Sequence, residues 1–349
     1  MYHIFNEYDI TNQDLELLCT LNSEDVYKFV FSMLIRKGYT EVDQAESNDR
    51  GFLYSIFSNE NCPGLRVPVI VVIHLDRVHE FYTQPTFSWK DLDTLRLCQS
   101  VDERVLVVQN SNGTFDDRAG LIALLALINK YNYYPHIVLT GLEEYGCEGS
   151  LALVEDYPNI ESLDIGDVSC LIQFDRRGFK QAVYYDFIGE RFQAMISSIG
   201  FQTEQGSYSD IAVLAPVWNR AAVNLSVCYY NEHTDREYLN VFELKNSIKL
   251  FARLMNTFIN TKNVIYPYVG SNNTYNMLAG RYSTPSSSFT GASAYNNNLV
   301  NYTTTEDGSC LINSQPLNNN LANLSPSSFV TASNNNSEDS TENDVDIPF

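Results

Sequence analysis

Residues 113–149 read GTFDDRAGLIALLALINKYNYYPHIVLTGLEEYGCEG, and their layout decides the fold class. After Asp116 and Asp117, apolar residues fall at 119, 121, 122, 124, 125, 127 and 128, dense enough for a helix buried on more than one side. The acidic pair can cap that helix. Residues 137–140 form a short apolar run that reads as a strand and leads to Glu143 and Glu144. Each acidic pair thus stands at a junction between elements. Carboxylates gathered around a cleft are costly unless a cation holds them together.

Working outward, Thr11 or Asn12 can cap a helix LELLCTL. Ser23, Glu24 and Asp25 open a second helix that Gly38 can end. Residues 52–57 read as a strand, and 67–73 as a more apolar one that delivers His74 and Asp76 at its end. A short helix is expected near 89–97 and a strand at 104–108. Further on, 150–154 extend a helix, and 169–174 form a strand ending at Asp175. Residues 190–199 and 209–214 read as helices, 222–227 as a strand running into YYNEHTD, and about 236–258 as a last helix. Helices alternating with short apolar strands predict a three-layer α/β sandwich around a mixed, mainly parallel sheet.

A chain of 349 residues suits one large domain or two smaller ones, and an apolar fraction of 44% supports a real core. The formal net charge of -21 argues against nucleic acid as the main partner and against an anionic membrane surface, while it suits a bound cation. No apolar run reaches the ~18 residues of a membrane span, and the first residues, MYHIFNEYDI, lack the pattern of an export signal. Seven scattered cysteines without a CxxC pair fit a reduced, cytoplasmic chain. From 263 to 349 the texture changes, with 17 asparagines and one basic residue, Arg281. Two related passages occur there, TPSSSFTGASAYNNN and SPSSFVTASNNN. The expected organisation is an α/β domain at 1–262 and a disordered tail at 263–349, whose scattered aromatic residues could dock onto another protein.

Metal-competent side chains now stand at strand ends or helix starts in five places: His74, Asp116, Glu143 with Glu144, Asp175 and His233. Ligands of open α/β sheets gather beyond the carboxyl ends of strands. Two histidines and several carboxylates can hold a pair of zinc-like ions about 3.5–4 Å apart, bridged by one carboxylate. From the residues alone, a solvated surface for the acidic pairs and plain ion pairing for Asp175, Arg176 and Arg177 stay open.

These same residues resemble the motifs of the co-catalytic zinc peptidases, the clan of the M28 and M42 aminopeptidases and the M20 peptidases and deacylases. His74-x-Asp76 is similar to the family's HxD, FDDRAG to its DDxxG, and GLEEYGCEG to its EExG. FDRRG is similar to its third acidic position, and YYNEHTD to its C-terminal histidine, all in family order across roughly residues 20–260. The resemblance implies that Asp116 bridges two divalent cations, zinc in the first instance with cobalt or manganese as alternatives. It assigns His74 and Asp175 to one ion, Glu144 and His233 to the other, and the general base to Glu143. Asp76 would hold the His74 imidazole, a role that also fixes the tautomer and raises ligand basicity.

Only 39 residues separate Asp76 from Asp116, and 57 separate Asp175 from His233. This leaves little room for the inserted or lid domains of M42 and M20 proteins and makes the layout nearest to a single-domain M28-type enzyme. The implied activity is removal of N-terminal residues from small peptides. Deacylation of N-acyl amino acids, a carboxypeptidase, and a binding or structural protein that keeps the fold are the alternatives. Arg118, Arg176 and Arg177 are candidates for binding a substrate carboxylate, and Tyr208, Ser209 and Asp210 for lining the cleft. Cys147 is expected to be a packing residue.

Overall fold

The computed structural model describes residues 5–78, 86–91, 104–109, 115–206, 208–234, 236–261, 264–270, 302–304 and 310–312. It divides into Met1–Thr284 and Pro285–Phe349. In the second unit the described chain is an antiparallel pair of strands, Tyr302–Thr304 with Cys310–Ile312. The rest of the expected tail beyond residue 270 lies outside the described residues.

The first unit opens with α1 (Asn12–Thr20) and α2 (Ser23–Arg36). Both start where the sequence supplies a cap. The Thr11 hydroxyl accepts from the Asp14 amide at 3.1 Å, and the Asn22 side chain accepts from the Asp25 amide at 2.8 Å. Strands β1 (Thr40–Ser47), β2 (Gly51–Ser58) and β3 (Leu65–His74) follow, then β4 (Thr86–Asp91) and β5 (Arg104–Gln109). Next come α3 (Arg118–Tyr131), β6 (Tyr133–Thr140), α4 (Glu148–Asp156), β7 (Leu171–Arg176) and β8 (Gln181–Val183). The unit continues through α5 (Glu190–Ile199), β9 (Gln202–Glu204), α6 (Asp210–Trp218), β10 (Ala222–Ser226), β11 (Tyr229–Tyr230), β12 (Tyr238–Asn240) and α7 (Val241–Asn260).

An eight-stranded sheet runs in the order β1-β2-β6-β3-β7-β10-β8-β9. Its centre, β6-β3-β7-β10, is parallel, and antiparallel strands flank it, so the expected mixed sheet is present. Side chains alternate between its faces. In β3, Val69, Val71 and Ile73 join the core built with α2, α3, α5 and α7, while Ile70 and Val72 join the opposite core with α4 and α6. This makes three layers. Helix α3 explains its all-apolar texture: every residue from 118 to 128 is buried, because it packs on the sheet and is covered in turn by α1 and α7. A smaller antiparallel sheet, β11-β12-β5-β4, uses chain from the stretch between Asp76 and Asp116 to support the hairpin that carries His233.

Three expectations are corrected. Residues 89–91 belong to β4 rather than to a helix, because Phe87 and Trp89 alternate with polar neighbours at the strand period and pair with β5; residues 92–97 lie outside the described chain. Helix α7 begins at Val241, not near 236, since Asn240 caps it by accepting from the Glu243 amide at 3.1 Å and Tyr238 to Asn240 pair with β5. Residues 264–270 continue the packed unit beyond 262: the Tyr266 amide donates to Ser169 and its carbonyl accepts from Ala221, and the ring is buried. No described helix is long and apolar enough to cross a membrane.

Candidate metal centre

The parallel strands bring their carboxyl ends to one rim. His74 closes β3, level with Thr140 at the end of β6, and the Leu75 amide donates to the Thr140 carbonyl at 2.7 Å. Asp175 is the penultimate residue of β7. Glu143 and Glu144 lie in the loop after β6, and His233 in the turn between β11 and β12. Leu142 and His233 have φ of 58° and 60°, left-handed conformations that cost a non-glycine residue ~1–2 kcal/mol and aim the neighbouring groups at the rim. Asp116 stands immediately before α3, joined to Asp117 by a cis peptide bond. Asp117 caps the helix as expected, its Oδ1 accepting from the Gly120 amide at 2.9 Å. Gly120 is required there, because a Cβ would stand 2.2 Å from the Phe174 carbonyl oxygen.

All seven side chains expected at the site are brought together. His74 Nε2 lies 3.1 Å from Asp116 Oδ1 and 3.4 Å from Asp175 Oδ1, while Nδ1 faces Asp76 Oδ1 at 3.4 Å. On the other side, His233 Nε2 lies 3.2 Å from Asp116 Oδ2 and 2.9 Å from Glu144 Oε1. The two oxygens of Asp116 therefore face two different histidines. Asp76 reaches further: Oδ1 accepts from the Glu143 amide at 3.0 Å and Oδ2 from the Glu144 amide at 3.1 Å. One carboxylate thus fixes the loop with the paired glutamates and faces an imidazole nitrogen. Three overlapping groups, His74-Asp116-Asp175, His74-Glu143-Glu144 and Asp116-Glu144-His233, each place ligand atoms within 4.8 Å of one another.

The charges strain against their burial. Burial works against an ionised Asp116, but His233 and His74 outweigh it and hold the carboxyl below the ordinary range. Asp175 goes the other way, pushed up to about 7 by burial and by the charge of Asp116. Burial also raises Glu143 well above its ordinary value, and Glu144 above it. It disfavours a charged His74 as well, yet Asp175, Asp116 and Asp76 raise that imidazole well above its usual value. Hydrogen bonds to Asp116 and Glu144 push His233 up to about 11. Five carboxylates and two imidazoles share this space, an excess of negative charge that suits divalent cations on the same nitrogen and oxygen atoms. The donor set fits.

A cleft of about 270 Å³ opens over Asp116, Glu143, Glu144, Asp175 and His233. The side chain of His233 is 44% exposed, so one flank of the cluster is open to solvent. Arg176 and Arg177 line the cleft, paired with Glu204 at 3.1 Å and with Glu232 respectively. Arg118 does not line it; the side chain is fully buried and donates to the Leu21 carbonyl at 3.3 Å. Tyr208 lines the cleft, whereas Ser209 and Asp210 are buried beneath it. Cys147 is buried, with Sγ 4.0 Å from Glu143 Oε1, and burial raises its thiol far above the range of a nucleophile.

Supporting residues went unnoticed in the sequence. Glu237, wholly buried, accepts from the amides of Phe115 at 3.1 Å and Asp116 at 3.3 Å and fixes the backbone at Asp116. Asn224 accepts from the Asp175 amide at 2.9 Å and donates back to its carbonyl at 3.1 Å; Tyr229 donates to Asp175 Oδ1 at 3.2 Å. Asn224 had a signal, a polar residue inside the apolar run AVNLSV. Glu237 had none.

No family model and no curated protein matches this sequence. Solved structures do. Aminopeptidase PepT from Bacillus cereus matches with a TM-score of 0.53 and 13% identity, covering 74% of this chain and 98% of that one. A tripeptidase from Staphylococcus aureus gives a TM-score of 0.54 at 13% identity, with the same coverage of 74% and 98%. The chain shares the fold of these two peptidase structures. At 13% identity the likeness is one of fold.

Proposed function

We propose that this chain is a two-metal peptidase of aminopeptidase type, nearest in layout to the single-domain M28 enzymes, with zinc as its first-choice metal and small peptides as substrates. The observation that carries the reading is the division of Asp116, one oxygen 3.1 Å from His74 and the other 3.2 Å from His233. In this reading His74, Asp116 and Asp175 hold one ion, and Asp116, Glu144 and His233 the other. Bound there, divalent cations supply Lewis-acid polarisation of a scissile carbonyl and make a water more acidic.

The chain's own residues do the rest. Glu143 takes a proton from the attacking water as the new C–O bond forms, and delivers it to the amine as the C–N bond breaks. Its burial, which raises its proton affinity, suits a group that must hold that proton between the two steps. Asp76 keeps Glu143 and Glu144 in place through their amides and holds His74 through Nδ1. Adjacent in sequence, the two glutamates can divide the work, one toward metal and one toward the water.

Two measurements test the reading. Metal analysis of purified, reconstituted protein should approach two equivalents, and a panel of aminoacyl, dipeptide and acyl-amino-acid substrates should show aminoacyl cleavage. Glu143→Gln should then lower turnover roughly 10²–10⁴-fold without loss of metal. Cleavage confined to acyl-amino acids would instead make it a deacylase. Failure to take up metal would leave a binding or structural protein.

A further inference from the structure

Ser209 and Asp210 open α6 on the face of the sheet opposite α3, directly under the rim. Asp210 is wholly buried, and its two oxygens reach two different elements. Oδ2 accepts from the Thr140 hydroxyl at 2.7 Å, at the end of β6, and Oδ1 from the Ser150 hydroxyl at 2.6 Å, in the first turn of α4. Between Thr140 and Ser150 runs the loop with Glu143 and Glu144, and its base is closed by Gly149 donating to the Gly141 carbonyl at 3.1 Å. A Cβ on Gly149 would meet that oxygen at 2.4 Å, so the closure tolerates no larger residue. Asp210 therefore clamps both feet of the loop.

The neighbouring residues turn to the other half of the rim. The Ser209 hydroxyl donates to Asp175 Oδ2 at 3.0 Å. The Ile211 amide donates to Gln173 Oε1 at 3.2 Å, and Gln173 Nε2 in turn donates to Asp175 Oδ2 at 3.1 Å. Three consecutive residues thus grip the loop bearing Glu144 and the strand end bearing Asp175. An apolar residue would fill the space under the loop more cheaply than a buried carboxylate, which is costly unless its hydrogen bonds do something an apolar contact cannot. Directional bonds fix a separation; apolar contacts do not.

We infer that Ser209 and Asp210 form a positioning element that sets the loop of Glu143 and Glu144 against Asp175, and so holds the two candidate metal positions at a working distance. The inference rests on the two-metal reading. Outer hydrogen-bond partners of metal ligands are typically worth 10–100-fold in metal affinity. Asp210 would act on the position containing Glu144, and Ser209 on the position containing Asp175.

The test titrates the full-length, metal-free chain with cobalt(II), reading the visible spectrum and the affinities against a chromophoric chelator. Amide hydrogen exchange of residues 141–149 is followed alongside. Asp210→Ala should weaken one cobalt position about 10–100-fold and speed exchange across 141–149. Ser209→Ala should weaken the other position and leave that exchange unchanged. Asp210→Asn, which can still accept from one hydroxyl and donate to the other, should recover part of the loss. If Asp210→Ala does not fold, Ser150→Ala removes one foot of the clamp and must show the same selective weakening. Wild-type cobalt affinities and spectrum in these variants would overturn the inference alone. A wild-type chain that binds no cobalt would bring down the two-metal reading, and the inference with it.

Discussion

His74 and His136 sit in adjacent parallel strands, both almost wholly buried, and their surroundings are opposite. His74 meets Asp76, Asp116 and Asp175, which overcome burial and favour its charged form. His136 accepts from the Asn59 amide at 3.4 Å, and burial, aided by the Arg66 charge, pushes it down to about 4. Four register positions along two paired strands separate a structural histidine from a candidate ligand. Burial by itself makes an imidazole neutral, and only converging carboxylates turn a buried histidine into part of a cation site.

The strongest way to break this contrast is at Asp116. Asp116→Ala should abolish metal uptake at both positions while the sheet remains folded, measured by metal content together with circular dichroism. Retention of either equivalent would refute its shared role. The next effect lies away from the rim. Phe251 of α7 stacks on Phe174 at 4.3 Å between centroids, just before Asp175. Phe251→Ala should cost about 3–5 kcal/mol of stability in denaturant unfolding, through a cavity rather than through charge. Metal binding by the folded fraction should persist.

His136 sharpens the comparison from the other side. With its folded value near 4 and its ordinary value 6.5, the unfolded chain takes up a proton in this window and the folded chain resists it. Its contribution is thus fully present above pH 6.5 and is lost as pH falls toward 4, an amount of roughly 3 kcal/mol at most. His136→Gln should flatten the fall in unfolding free energy between pH 7.5 and 4.5; an unchanged slope would remove His136 as its source. Smallest is the loss of a helix cap. Asn22→Ala removes the cap of α2 and should cost about 1 kcal/mol, read as a shift in the urea midpoint without change in activity.

Much of the fold was legible because it repeats a period. The apolar spacing of 119 to 128 marked a helix buried on more than one side, and the run before His74 marked a more deeply apolar strand. Misreadings fell where the period was short or partners were remote. Residues 89–91 and 238–240 are strands because they pair with β5, and runs this short leave helix and strand undecided until that partner is known. The buried position of Arg118 was equally hidden, since an arginine at a helix start reads as exposed until the packing above it is known.

The sequence by itself determined which side chains stand at strand ends and helix starts, because the alternation of apolar runs and polar stops sets those ends locally. It named His74, Asp116, Glu143, Glu144, Asp175 and His233 without showing that they meet. Tertiary structure alone decided that meeting. It pairs Asp116 with His233 across more than a hundred residues of chain, puts Glu237 under the Asp116 backbone, and brings Asp210 between Thr140 and Ser150. Hydrogen bonds act over about 3 Å, and only the stacking of helices on a parallel sheet brings such distant residues within that reach.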